Sequence, residues 1–258
     1  MYILFEHTHQ NEPSSHTLTC LVRFQRFEPA LRDSHTLSEH SIHQILEWTQ
    51  LCRETHEECK LEQVNTHSAI PRILLHVGTL TAPLVKLIDT QHLPNDIEYL
   101  TLSHCWGEPS GLTKLGRQKL DQYKREIAWS ALPRTFQEAI TVTRLLKERF
   151  LWIDALCIVQ DSRDDWLHES TVMGSIYENG LLNLAAAASG NSAERLSRKR
   201  SIHTVRACQV PLTWSGLPPE YASFTSDEAV IAQPMRQVWK DCIINSPLQG
   251  RGWVGAPP

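Results

Sequence analysis

Apolar and polar positions fall into regular blocks from Tyr99 onward. Tyr99–Ser103 is a short apolar run that predicts a strand, and it leads into His104-Cys105-Trp106-Gly107. Thr135-Phe136-Gln137-Glu138 matches a Ser/Thr-x-x-Glu capping box. Behind it, Phe136, Ala139, Ile140, Thr143 and Leu146 repeat at helical spacing, predicting a helix over 135–147. Phe150–Asp154 predicts a buried strand closed by an acid. Ser162-x-x-Asp165 predicts the start of a helix over 163–178, with Trp166, Ser170, Met173 and Tyr177 on its buried face. Leu181–Ala188 is the next apolar run. Strand, helix, strand, helix, strand at this spacing is βαβαβ, so Tyr99–Ser103, Phe150–Asp154 and Leu181–Ala186 are expected as neighbours in a parallel sheet with helices on both faces. The expected class is α/β.

The first 98 residues form an expected N-terminal annex to a domain over 99–258. Residues 1–37 keep no sustained period, apart from a short strand around Thr19–Phe24. Ile42, Ile45, Leu46, Thr49, Cys52, His56 and Cys59 follow one helix face, predicting a helix over 41–59. Two β-like runs, Arg72–Val77 and Leu84–Ile88, are separated by Gly78 and Pro83. After residue 189 the pattern is mixed, with Val205–Leu212 as one strand.

Composition narrows the function classes. The 258 residues carry 25 basic and 29 acidic side chains, a formal charge of -4, and 41% are hydrophobic. That is an ordinary globular balance, without the basic stripe of a dedicated nucleic-acid binder. The longest apolar run is too short to span a bilayer. The N-terminus lacks a signal-peptide pattern, there is no N-x-Ser/Thr sequon, and seven scattered cysteines make no disulfide framework. These features predict reduced thiols and a cytoplasmic protein.

Several short patterns invite chemistry. Gly250-Arg-Gly-Trp-Val-Gly255 spells G-x-G-x-x-G, but only three residues follow, so no helix N-terminus is expected there for a pyrophosphate. Cys52, His56 and Cys59 put three soft ligands on one helix without a second ligand-bearing segment, so no metal is expected. His104 and Cys105 are adjacent, and on a strand they would face opposite sides, which disfavours a Cys/His nucleophile. Cys157 lies among apolar residues and reads as a buried thiol. Ser103 and Asp154 each end a predicted parallel strand, where open α/β sheets bind ligands. If those strands are neighbours, Ser103, His104, Trp106 and Asp154 rim one crevice.

Tyr99-Leu-Thr-Leu-Ser-His-Cys-Trp-Gly107, Leu132-Pro-Arg-Thr-Phe-Gln-Glu-Ala-Ile140 and Leu151-Trp-Ile-Asp-Ala-Leu-Cys-Ile-Val-Gln-Asp-Ser162 with Asp165-Trp166 closely resemble the fungal heterokaryon incompatibility (HET) domain. Met173-Gly-Ser-Ile-Tyr177 and Arg251-Gly-Trp-Val254 fit in the same order, and Trp48-x3-Cys52-x3-His56-x2-Cys59 looks like the annex that often precedes it. The resemblance implies a role in fungal non-self recognition and cell-death signalling through protein partners, with self-association as one option. It also implies a flavodoxin-like fold distantly similar to TIR domains, some of which cleave the nicotinamide–ribose bond of NAD. On that reading NAD is a candidate ligand, and no cofactor is fixed by the sequence. Ser103, His104, Trp106, Gly107 and Asp161 are the candidate ligand-binding residues, and Asp154 is the candidate catalytic or orienting acid. The family's ending has Gln-Glu shortly after its Arg-x-Trp. Here Val254 is followed by Gly-Ala-Pro-Pro, and no glutamate occurs after Glu228. A C-terminally truncated domain with impaired catalysis is therefore expected. The alternatives are an NAD-cleaving hydrolase, a non-catalytic adaptor, or a hydrolase using Cys105 or the Cys52/His56/Cys59 group.

Overall fold

A computed structural model describes residues 2–7, 18–23, 35–56, 70–94, 97–107, 113–199, 208–210, 230–232 and 246–250. In chain order the strands are β1 (Tyr2–His7), β2 (Leu18–Arg23), β3 (Ile73–His76), β4 (Lys86–Asp89), β5 (Leu100–Ser103), β6 (Phe150–Trp152), β7 (Leu182–Ala185), β8 (Cys208–Val210) and β9 (Val230–Ala232). The helices are α1 (Glu39–Thr55), α2 (Arg117–Arg125), α3 (Arg134–Leu145), the single turn α4 (Asp154–Cys157) and α5 (Arg163–Glu178). The predicted strands and helices all recur within a few residues of their expected bounds. The predicted helix over 41–59 ends at Thr55, and Cys59 lies outside the described residues.

Five strands form one sheet in the order β4-β3-β6-β5-β7. β5 pairs in parallel with β6, Leu100 opposite Leu151, and with β7, Leu100 opposite Leu182. The three strands expected to be parallel neighbours are so arranged. The expectation of a wholly parallel sheet needs one addition. β3 and β4 pair antiparallel to each other, and β3 pairs antiparallel to β6, so the sheet is mixed and draws strands from both sides of residue 98. Gly78 permits the β3–β4 connection. Its φ is +68°, and a Cβ there would meet the Ala82 carbonyl oxygen at 2.3 Å. β1 with β2, and β8 with β9, form separate antiparallel pairs.

All four residues of β5 are buried, so both sheet faces are covered. Alternation puts Tyr99, Thr101 and Ser103 on one face and Leu100 and Leu102 on the other. α5 covers the first: the Tyr99 hydroxyl donates to the Ile176 carbonyl at 2.8 Å, and Trp152 meets Tyr177 edge to face at 5.4 Å. α3 covers the second through buried Phe136, Ala139 and Ile140.

Two local expectations give way. Thr135 and Glu138 do not cap α3, which starts one residue earlier, after Pro133. Thr135 instead donates to the Glu194 carbonyl at 2.7 Å, and Glu138 accepts the Ser197 N–H at 2.9 Å, so both hold the 189–199 segment. The buried face of α5 departs from expectation in its first half. Trp166 is 44% exposed and Glu169 takes the buried place, whereas Met173 and Tyr177 pack against the core as expected, beside Ile176. The cause is Asp165. Its carboxylate accepts the Val159 N–H at 2.8 Å and pairs with Arg72 at 2.9 Å, which turns two acids inward. Hydrophobic periodicity does not register such a face.

The Tyr99 hydroxyl is a direct tie between β5 and α5. Tyr99→Phe leaves the Ile176 carbonyl without that donor and should cost about 1–2 kcal/mol in urea unfolding. A loss below a few tenths would mean that the contact carries no weight.

Candidate functional site

The site is built where β5 and β6 end. β5 runs out at Ser103 into His104-Cys105-Trp106-Gly107, and β6 runs through Ile153 into α4, whose first residue is Asp154. Asp154 is 7% exposed. Its Oδ2 accepts the Trp106 indole N–H at 2.9 Å, and its Oδ1 accepts the Ala155 main-chain N–H at 2.7 Å. The His104 Nδ1 lies 3.8 Å from the same Oδ1. The His104 ring is fully buried and stands edge-on to Phe136 of α3, with centroids 4.9 Å apart. Three expected site residues, His104, Trp106 and Asp154, therefore converge.

Ser103, the fourth residue expected on this rim, faces elsewhere. It shares the α5 face of the sheet with Thr101, and both hydroxyls donate to the Asn183 Oδ1 on β7, at 3.2 and 3.1 Å. Gly107 has a φ of +76°, and a Cβ on it would lie 2.3 Å from the Asn191 Cβ. Glycine is required there by conformation and by space. Asp161 has a structural task. Its two oxygens accept the Arg117 N–H at 2.9 and 3.1 Å, supplying the N-terminal cap that Gly116, without a side chain, cannot. Neighbouring main-chain bonds clip the 115 segment between Ala155 and Gln160.

The strand order locates the crevice of the sheet. The chain passes from β5 to β6 on one side, then back to β7 on the other, so the connections diverge above β5 and β7. Open α/β sheets bind ligands at such a point. The walls are the 104–107 loop and the 186–199 segment, which meet at Gly107 and Asn191.

Two residues that matter here were missed by sequence reasoning. Gln160 donates its side-chain amide to the carbonyls of Asp154 and Ile158, at 2.8 and 3.1 Å, and so fixes the turn below the acid. Glu194 brings a carboxylate to the 186–199 wall, where it accepts from Asn191, Gly190 and Arg198. Its position three residues after Asn191 was a detectable turn signal.

Of the residues behind the other candidate chemistries, Cys59 lies outside the described residues. Cys105 is buried, and burial pushes the Cys157 thiol up to about 12, which keeps it protonated. Cys52 lies near the end of α1, and His56 caps that end by donating its main-chain N–H to the Cys52 carbonyl at 3.1 Å. Among the described residues no group of three or more His, Cys, Asp or Glu side chains could hold a metal ion, and no helix is long and apolar enough to cross a membrane. The Arg251–Val254 motif lies outside the described residues.

No curated protein matches the chain, and no solved structure does. A family model described as Heterokaryon incompatibility protein (HET) matches residues 99–255. That span holds all three parallel strands, the His104–Trp106–Asp154 junction and both crevice walls. The match covers more than half of the sequence and agrees with the α/β sheet, and the chain belongs to the heterokaryon incompatibility (HET) family.

Proposed function

We propose that this HET-family chain serves fungal non-self recognition in the cytoplasm, as a cell-death signalling module that works through protein partners and not through NAD cleavage. One observation carries the reading. Two described carboxylates beside the crevice are already occupied by the chain's own donors: Asp154 by Trp106 and Ala155, and Glu194 by Asn191, Gly190 and Arg198. Cleavage of the nicotinamide–ribose bond needs a carboxylate free to face developing positive charge on the ribose. A carboxylate engaged in holding its own loop is poorly placed for that.

A second reading, an NAD-cleaving hydrolase, is favoured by Glu194. This residue stands on the wall of the switch-point crevice and is only partly buried. In that reading the Trp106–Gly107 loop frames the nicotinamide and Glu194 exchanges its internal partners for the ribose. Asp154 remains a positioning residue.

Nicotinamide release from NAD separates the two. The first reading expects release at the rate of buffer alone. Turnover that Glu194→Gln or Asp154→Ala abolishes would overturn it and make the chain an enzyme.

Asp154 as a positioning acid has its own consequence. Asp154→Ala removes two hydrogen bonds to a buried carboxylate and should cost about 3 kcal/mol in chemical unfolding. An unchanged unfolding midpoint would contradict the positioning role.

A further inference from the structure

The buried face of α5 carries an acid that the site does not use. Glu169 is 1% exposed, and no side chain hydrogen-bonds to its carboxylate, whose one named donor is the Arg72 main-chain N–H. A buried carboxylate with so few donors carries a heavy desolvation penalty when it is charged. Burial, together with the negative charge of Asp165 one turn earlier, pushes the Glu169 carboxyl up to about 7. Arg72 opposes this only in part, through its main-chain N–H and its guanidinium. The charged and titratable groups around Glu169 are Asp165 on its own helix, Arg72 just ahead of β3, and the Cys157 thiol of α4, which its charge also raises.

Asp165 connects this acid to the site. One oxygen pairs with Arg72 at 2.9 Å and the other accepts the Val159 N–H at 2.8 Å. Val159 starts the turn in which Gln160 holds the Asp154 carbonyl and Asp161 caps α2. Arg72 has one guanidinium for two acids. With Glu169 neutral, Asp165 keeps it. With Glu169 ionised, two carboxylates one helical turn apart repel each other and compete for it.

We propose that Glu169 is a proton-operated latch. Neutral, it leaves Arg72 on Asp165 and keeps the 158–162 turn closed beneath Asp154. Ionised, with its proton lost to water, it draws Arg72 away and loosens that turn. The latch goes beyond the signalling reading, and its readouts do not involve NAD.

The direction with pH follows from linkage. The folded value lies above the ordinary 4.5, so the folded state binds the proton more tightly than the unfolded state. The Glu169 contribution is complete below the unfolded value and is lost as pH rises through the folded one.

The test compares wild type with Glu169→Gln, which has the same shape and cannot ionise. Both are followed by urea unfolding and amide hydrogen exchange at about pH 5.5 and about pH 8.5, two points that bracket the transition. Between these pH values the wild-type folding constant should fall by more than about ten-fold relative to the variant. At the higher pH the wild-type amides of 158–163 should exchange at least about ten-fold faster than those of the variant, and at the lower pH the two should agree. Asp165→Asn should move the wild-type transition to lower pH by removing the like charge. If Glu169→Gln does not fold, a carbon-13 titration of Glu169 in wild type decides the matter. A midpoint near neutrality, with the Val159 amide moving in step, supports the latch. Parallel pH profiles for wild type and variant, a midpoint in the usual carboxylate range, or a loss of protection spread evenly over the chain would overturn it.

Discussion

The pairing of β5 with a parallel neighbour on each side is the constraint on which the rest of the structure depends. It buries Leu100, Thr101, Leu102 and Ser103 completely or nearly so, and no loop could satisfy that much main chain in an apolar interior. Once β5 is central, β6 and β7 must be reached by crossovers of opposite direction. The right-handed rule then sends α3 and α5 to opposite faces, as observed. The same reversal opens a crevice above β5 and β7. The 104–107 loop, the Asp154 turn and the 186–199 segment all take their places from that topology.

Within this frame, polar side chains hold the loops together. Asp154 ties the β5 loop to the β6 turn, Gln160 braces that turn from below, and Asp161 and Leu115 clip α2 onto it. Thr135 and Glu138 hold the opposite wall against the start of α3. Thr36 pairs with Arg198, so the segment leading into α1 is joined to the same wall. If the chain works as proposed, through protein partners, a rim cross-linked in this way supplies a surface of defined shape.

Much of the parallel core was legible because it is written locally. Short apolar runs ending in Ser103, Asp154 and Ala186, separated by helical repeats, leave few alternatives. The antiparallel addition of β3 was not legible, since nothing in Ile73–His76 names Phe150 and Leu151 as partners. Hydrophobic periodicity also misplaced the first half of the buried face of α5, because that half carries Asp165 and Glu169, while Met173 and Tyr177 fell where expected. At the site, His104, Trp106 and Asp154 could be grouped from strand ends alone. The turn of Ser103 toward Asn183, the use of Asp161 as a cap for α2 and the arrival of Glu194 beside Asn191 all depend on contacts between distant segments.

The Trp106 indole N–H is the most direct probe of whether Asp154 is a holding group or a free acid. Its hydrogen exchange can be followed by nitrogen-15 NMR in the intact chain, with and without added NAD. A protected indole proton, unmoved by NAD, is the result expected if the carboxylate is committed to the loop. An indole proton that exchanges at the solvent rate, or that shifts as NAD is added, would contradict a site closed by its own hydrogen bonds.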